Sequence, residues 1–138
     1  MKIVRNIIAV ITGWLIGSFV NLSLIDMGAN FYPMGVIPGD LEGLAAVMPT
    51  LSGEFFIFPF LAHALGTLVG ATFAGMIAAT HKMNFVWTIG ILFFVGGVMI
   101  SFMLPAPTWF IVVDLVFAYI PMAWIAGKFV NKMSTVSE

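Results

Sequence analysis

Three residues able to do chemistry lie inside long apolar runs. Asn21, His63 and Asp114 are each surrounded by tens of aliphatic and aromatic neighbours. A charged side chain near the middle of a bilayer costs roughly 2.5–3.5 kcal/mol on insertion scales. Asp114 is therefore too costly to stand alone, and it needs a partner, a proton or access to water. His63 is the natural partner, with Asn21 able to donate or accept beside it. An aspartate–histidine pair suits proton coupling, because imidazole titrates near neutral pH and acids within membranes often line ion or proton paths. The expectation is a ligand or proton site of Asn21, His63 and Asp114 opening toward the outer face. The plainer alternative is a structural hydrogen-bond network between helices, worth about 1 kcal/mol per contact.

Fewer signals attach to the other polar residues. Glu54 stands at the start of the second apolar run, where a carboxylate favours the positive end of a helix; membership of an outer vestibule is the alternative. Pro121 removes a backbone donor on the Asp114 side and frees the Phe117 carbonyl, giving either a kink or an acceptor aimed at a ligand. His81, next to Lys82, reads as a solvated turn residue. Ser18, Ser23, Thr67 and Thr72 can bond to carbonyls of their own helices. No metal site is expected, because His63 and Asp114 offer too few ligands. No cofactor is expected either, since there is no phosphate loop, no H-E-x-x-H and no haem motif. Cysteine is absent, which removes disulfides and thiolate chemistry. An enzyme is the weaker class.

The elements that position these residues follow from composition. Of 138 residues, 62% are apolar and 8% charged, against about 45–50% and about 25% in soluble domains. Such a chain is too apolar to be disordered, and it has too few charges to cover a soluble surface. Its net charge of −1 leaves no electrostatic footprint for nucleic acid. The expected partner is a lipid bilayer.

A bilayer core needs roughly 20 apolar residues per helix. Four runs qualify, at about residues 3–25, 55–80, 85–104 and 109–129. Asp26 and Gly28 are expected to end the first. His81, Lys82 and Asn84 separate the second from the third, and Pro105 and Pro107 break the chain before the fourth. The fold class is all-α: a single domain forming an integral membrane antiparallel four-helix bundle. Lys2, Arg5, Lys82, Lys128 and Lys132 all fall on one side of such a bundle. By the positive-inside rule both termini are cytoplasmic, with the bacterial inner membrane as the expected location. The first run exceeds the roughly 7–15 residues of a signal-peptide core and has no small-residue cleavage site, so it reads as a retained helix.

The outer segment, residues 27–53, begins irregularly with Pro33, Gly35, Pro38 and Gly39. Asp40 can then cap a short helix over 41–48, with Leu41, Leu44, Ala45 and Met48 on one face, ended by Pro49. It reads as an interfacial helix or a lid. Phe31, Tyr32 and Trp109 mark the outer aromatic belt. Residues 133–138 form a polar tail.

Small residues mark the faces where membrane helices touch. Gly13, Gly17 and Asn21 align on the first helix. Pro59, His63, Gly66, Thr67, Gly70 and Ala74 form a stripe on the second, opposite a face that includes Leu61, Leu65 and Met76. Gly90, Phe94, Gly97 and Ser101 align on the third. Phe110, Asp114, Phe117, Ala118 and Pro121 align on the fourth. The functional expectation is a small transporter, channel or transporter subunit. Four helices enclose little volume, so a homo-oligomer or a membrane partner is expected. The alternative is a non-catalytic accessory subunit of a larger membrane complex.

Overall fold

The computed structural model describes residues 1–37 and 39–136. The expectations for Pro38 in the irregular segment, and for Ser137 and Glu138 in the polar tail, lie outside the described residues. The long helices grow out of the apolar runs. The helices are α1 (Lys2–Phe31), α2 (Leu41–Val47), α3 (Ile57–Ile77), α4 (Lys82–Met103), α5 (Thr108–Phe117) and α6 (Ile120–Val136). Short 3-10 turns at Met48–Thr50 and Gly53–Phe56 lead into α3. No strand occurs among the described residues. Four segments are long and apolar enough to cross a membrane: Lys2–Phe31, Gly53–Ile77, Lys82–Met103 and Thr108–Thr135. The chain therefore has the make-up of a multi-pass membrane protein.

Two boundaries differ from the sequence reading. Asp26 and Gly28 do not end α1, which runs on to Phe31. Packing overrides the weak helix propensity of glycine here, because Gly28 lies flat against Phe58, where an added Cβ would sit 2.5 Å from the Phe58 Cβ. The rings of Phe31 and Phe58 then stack, 5.6 Å between centroids, and extend that contact.

The fourth run is not one helix. α5 stops at Phe117 and α6 starts at Ile120. Pro121 has no N–H for the Phe117 carbonyl, and its ring crowds that turn. The ladder closes on either side of the break: Ala118 N–H donates to the Asp114 carbonyl and Ala123 N–H to that of Tyr119, both at 2.9 Å. Phe117, expected on the inner face, is 53% exposed. The buried side of α5 is centred on Phe110 and Asp114, which leaves Phe117 with the outward Val113 and Val116.

α3 is the central helix, packing on α1, α4 and α6. Against α1 the contact is backbone to backbone. A Cβ on Gly17 would lie 2.6 Å from the Gly66 carbonyl oxygen, and one on Gly70 would lie 2.6 Å from that of Gly13. Only hydrogen side chains permit this approach. Between α4 and α6, Gly90 makes room for the Ala123 methyl, 2.5 Å from where a Cβ would sit. The main buried cluster joins Ala71 and Ala74 of α3, Val86 and Ile89 of α4, and Ala123, Ala126 and Val130 of α6. Leu61, Leu65 and Met76, on the other side of α3, are exposed.

The ends are fastened by different chemistry. Where α3 finishes, Arg5 Nε donates to the Ile77 carbonyl at 2.6 Å. Asn6 Nδ2 donates to Thr80 Oγ1 at 3.0 Å, and the Ala79 N–H donates to Asn6 Oδ1 at 2.8 Å. At the other end aromatic rings close the gap: Phe56 packs on Trp109 and Phe110, with centroids 5.7 and 4.8 Å away. Asp40 caps α2, its Oδ1 accepting from the Gly43 N–H at 2.9 Å. α2 buries none of its residues. It ends at Val47, one residue before the expected Met48, and Pro49 lies in the 3-10 turn that follows.

Candidate functional site

Asp114 and His63 are brought together from α5 and α3. His63 Nδ1 lies 2.8 Å from Asp114 Oδ1 and 2.9 Å from Oδ2. A carboxylate only accepts, so the proton between them sits on Nδ1; in the neutral form of the ring the lone pair is then on Nε2. Asp114 is buried. Its second donor is Tyr119, whose hydroxyl donates to Asp114 Oδ2 at 3.0 Å. Two donors on one buried carboxylate offset the desolvation that an isolated charge could not survive.

Tyr119 owes its place to two local features. The break before Pro121 turns its ring back beneath His63, with centroids 5.7 Å apart and planes 27° from parallel. Gly97 of α4 leaves the space the phenol occupies; a Cβ there would lie 2.5 Å from Tyr119 Cζ. Phe94 meets the same ring edge-on at 6.0 Å. Tyr119 is 1% exposed. Thr67, also buried, donates to the His63 carbonyl at 2.7 Å and stiffens the α3 turn that carries the imidazole.

Beside this pair lies a cavity of about 350 Å³ between α1, α3 and α4. Its polar lining is Ser18, Asn21, His63 and Tyr119. Among the described residues His63 Nε2 has no hydrogen-bond partner. Because no buried side-chain nitrogen or oxygen among the described residues lacks one, Nε2 is open to the cavity. The arrangement is a histidine oriented from behind by a carboxylate, with a basic nitrogen presented in front, as in general acid–base sites. It can accept a hydrogen bond or a proton from whatever occupies the cavity. Among the described residues no lysine or arginine lines that space.

Of the residues singled out in sequence, His63 and Asp114 are bonded to each other. Asn21 reaches the cavity wall, but it makes no hydrogen bond to either among the described residues. Glu54 is exposed in the 3-10 turn before α3 and does not line the cavity. Gly66 and Gly97 flank the site directly, while Gly13, Gly17, Gly70 and Gly90 hold the helices around it. Among the described residues no three His, Cys, Asp or Glu side chains come together to hold a metal ion.

Tyr119 is the residue that sequence reasoning missed. On a continuous helix it would lie about 140° around the axis from Asp114. The signal that could have found it is Pro121, which marks the break that reorients it. No protein-family model matches the chain, and no curated protein or solved structure is significantly similar to it.

Proposed function

We propose that this chain is a bacterial inner-membrane protein, folded as an antiparallel four-span bundle with both termini cytoplasmic, that works as a small transport subunit. The observation that carries the reading is His63 itself: one nitrogen is held by the buried Asp114, and the other is open to a cavity within the apolar part of the chain. A group that gains and loses a proton at this depth is expensive to keep and is characteristic of proton-linked pathways. The five basic residues, gathered at one end of the four spans, support the orientation. α2, with no buried residue, fits a helix lying on the outer headgroups better than a lid. Glu54 stands at that same outer end.

The test is solute-driven proton movement in proteoliposomes containing a pH-sensitive dye. Wild type under an imposed gradient is expected to give flux with at least one of a panel of small solutes, and His63→Ala, compared at the helical content of wild type, to abolish it. Flux no greater than in empty vesicles across the panel would remove the transport reading.

One observation favours a second reading, that of a non-catalytic accessory subunit. Among the described residues every buried side-chain polar atom is already satisfied, so the dyad is stable without a ligand. In that case His63→Ala changes stability and assembly with a larger membrane partner, and flux is absent in both proteins.

A further inference from the structure

The cavity beside His63 has an unusual shape for a solute pathway. α1 packs on α3 along its length and meets α4 over a much shorter stretch, so a cleft opens sideways between α1 and α4. Its rim is apolar and outward-facing: Trp14, Leu22 and Leu92 are 52%, 62% and 46% exposed. Gly96 lies in the same wall, and among the described residues no atom lies within 4 Å of the place its Cβ would take. The floor is polar and the mouth is not.

From this geometry we infer that the cleft is a lateral binding site for a single-chain amphiphile with an uncharged hydroxyl head. This deepens the transport reading and rests on it for the bilayer at the cleft mouth. The hydroxyl donates to His63 Nε2, the chain lies along Trp14, Leu22 and Leu92, and Asn21 borders the head.

Each part of the ligand follows from the walls. With a proton on Nδ1 facing Asp114, Nε2 of the neutral ring accepts, and the matching ligand group donates. An anionic head would find no lysine or arginine among the described residues and would face the Asp114 carboxylate behind the imidazole. A cationic head cannot reach that carboxylate, which is buried behind His63 and Tyr119. A volume of about 350 Å³ is near the small end of ligand pockets, and it takes one head and one chain rather than a phospholipid.

Trp14 on the rim supplies the probe. The full chain carrying Trp87→Phe, Trp109→Phe and Trp124→Phe keeps it as the single tryptophan. In phosphatidylcholine vesicles this protein is titrated with a long-chain alcohol brominated along its tail, with the methyl ether of that alcohol, and with brominated phosphatidylcholine. Saturable quenching by the alcohol is expected, roughly three- to tenfold tighter than by the ether, the range that one hydrogen bond supplies. His63→Leu should erase that preference. Gly96→Leu should remove saturable quenching by filling open space, without touching the dyad or the fold, so the test survives if the histidine variant does not fold. Equal quenching by alcohol and ether, or quenching that rises only in proportion to mole fraction as with the brominated phospholipid, would overturn the proposal. Saturable binding without solute flux keeps the site and removes transport. Flux without saturable binding does the reverse.

Discussion

The Tyr119 hydroxyl reaches Asp114 Oδ2 at 3.0 Å from the far side of a helix break. Its position five residues along the chain therefore becomes a close contact only because α5 does not continue into α6. Tyr119→Phe keeps the ring in place beside Gly97 and removes one of two donors on a buried carboxylate. A loss of about 1–3 kcal/mol is expected, read by chemical unfolding in detergent micelles. Unchanged stability would mean that Asp114 does not depend on the phenol.

The His63–Asp114 pair is expected to show strong coupling. Removing one member of a buried pair costs about 3–5 kcal/mol, while removing both costs far less than the sum. His63→Leu leaves a carboxylate with Tyr119 alone, so it should be the worse single change. Asp114→Leu leaves an imidazole that can still meet the cavity. Unfolding of the two single variants and the double measures the cycle, and additive losses would refute the pairing.

Whether a helix residue without a side chain is structural can be separated by location. Gly17 faces the Gly66 carbonyl, while Gly96 faces open space. Gly17→Ala should cost about 1–3 kcal/mol by overpacking, whereas Gly96→Ala should be neutral or slightly stabilising through its better helix propensity. Thermal unfolding of the two side by side is sufficient, and equal losses would contradict the close seam between α1 and α3.

Much of the fold was legible because lipid-scale apolar runs are hard to mistake. The four long segments follow from length and hydropathy alone, and Asp40 as the cap of α2 follows from residue type. The pairing of His63 with Asp114 was legible for a related reason, since neither is affordable alone inside such runs. What was illegible depended on packing. Asp26 and Gly28 look like a stop, but Phe58 supplies the contact that carries α1 past them. Phe117 is angularly near Asp114 and so looks inward in sequence, but Asp114 shares the buried side of α5 with Phe110 instead. Tyr119 depended on a break that Pro121 signals without stating its direction. Asn21 shares a level with His63, yet its side chain ends on the cavity wall.

Asn6 was not visible as anything but a polar residue near a terminus. In the fold it spans two residues after α3, bonding Thr80 and the Ala79 N–H. Asn6→Ala should cost about 1–2 kcal/mol and loosen the α3–α4 connection, read as faster trypsin cleavage at Lys82. Cleavage at the wild-type rate would show that Arg5, through the Ile77 carbonyl, is enough.

The first helix is joined to its neighbours almost like a door. Its glycines meet α3 along one edge, Asn6 and Arg5 pin its base, and its other edge meets α4 only over a short stretch. Val10 of this helix packs on the alanine and valine cluster of α3, α4 and α6, and Gly13 abuts Ala74 within it. The way to the imidazole is therefore bounded by one helix whose hold is strong on one flank and slight on the other.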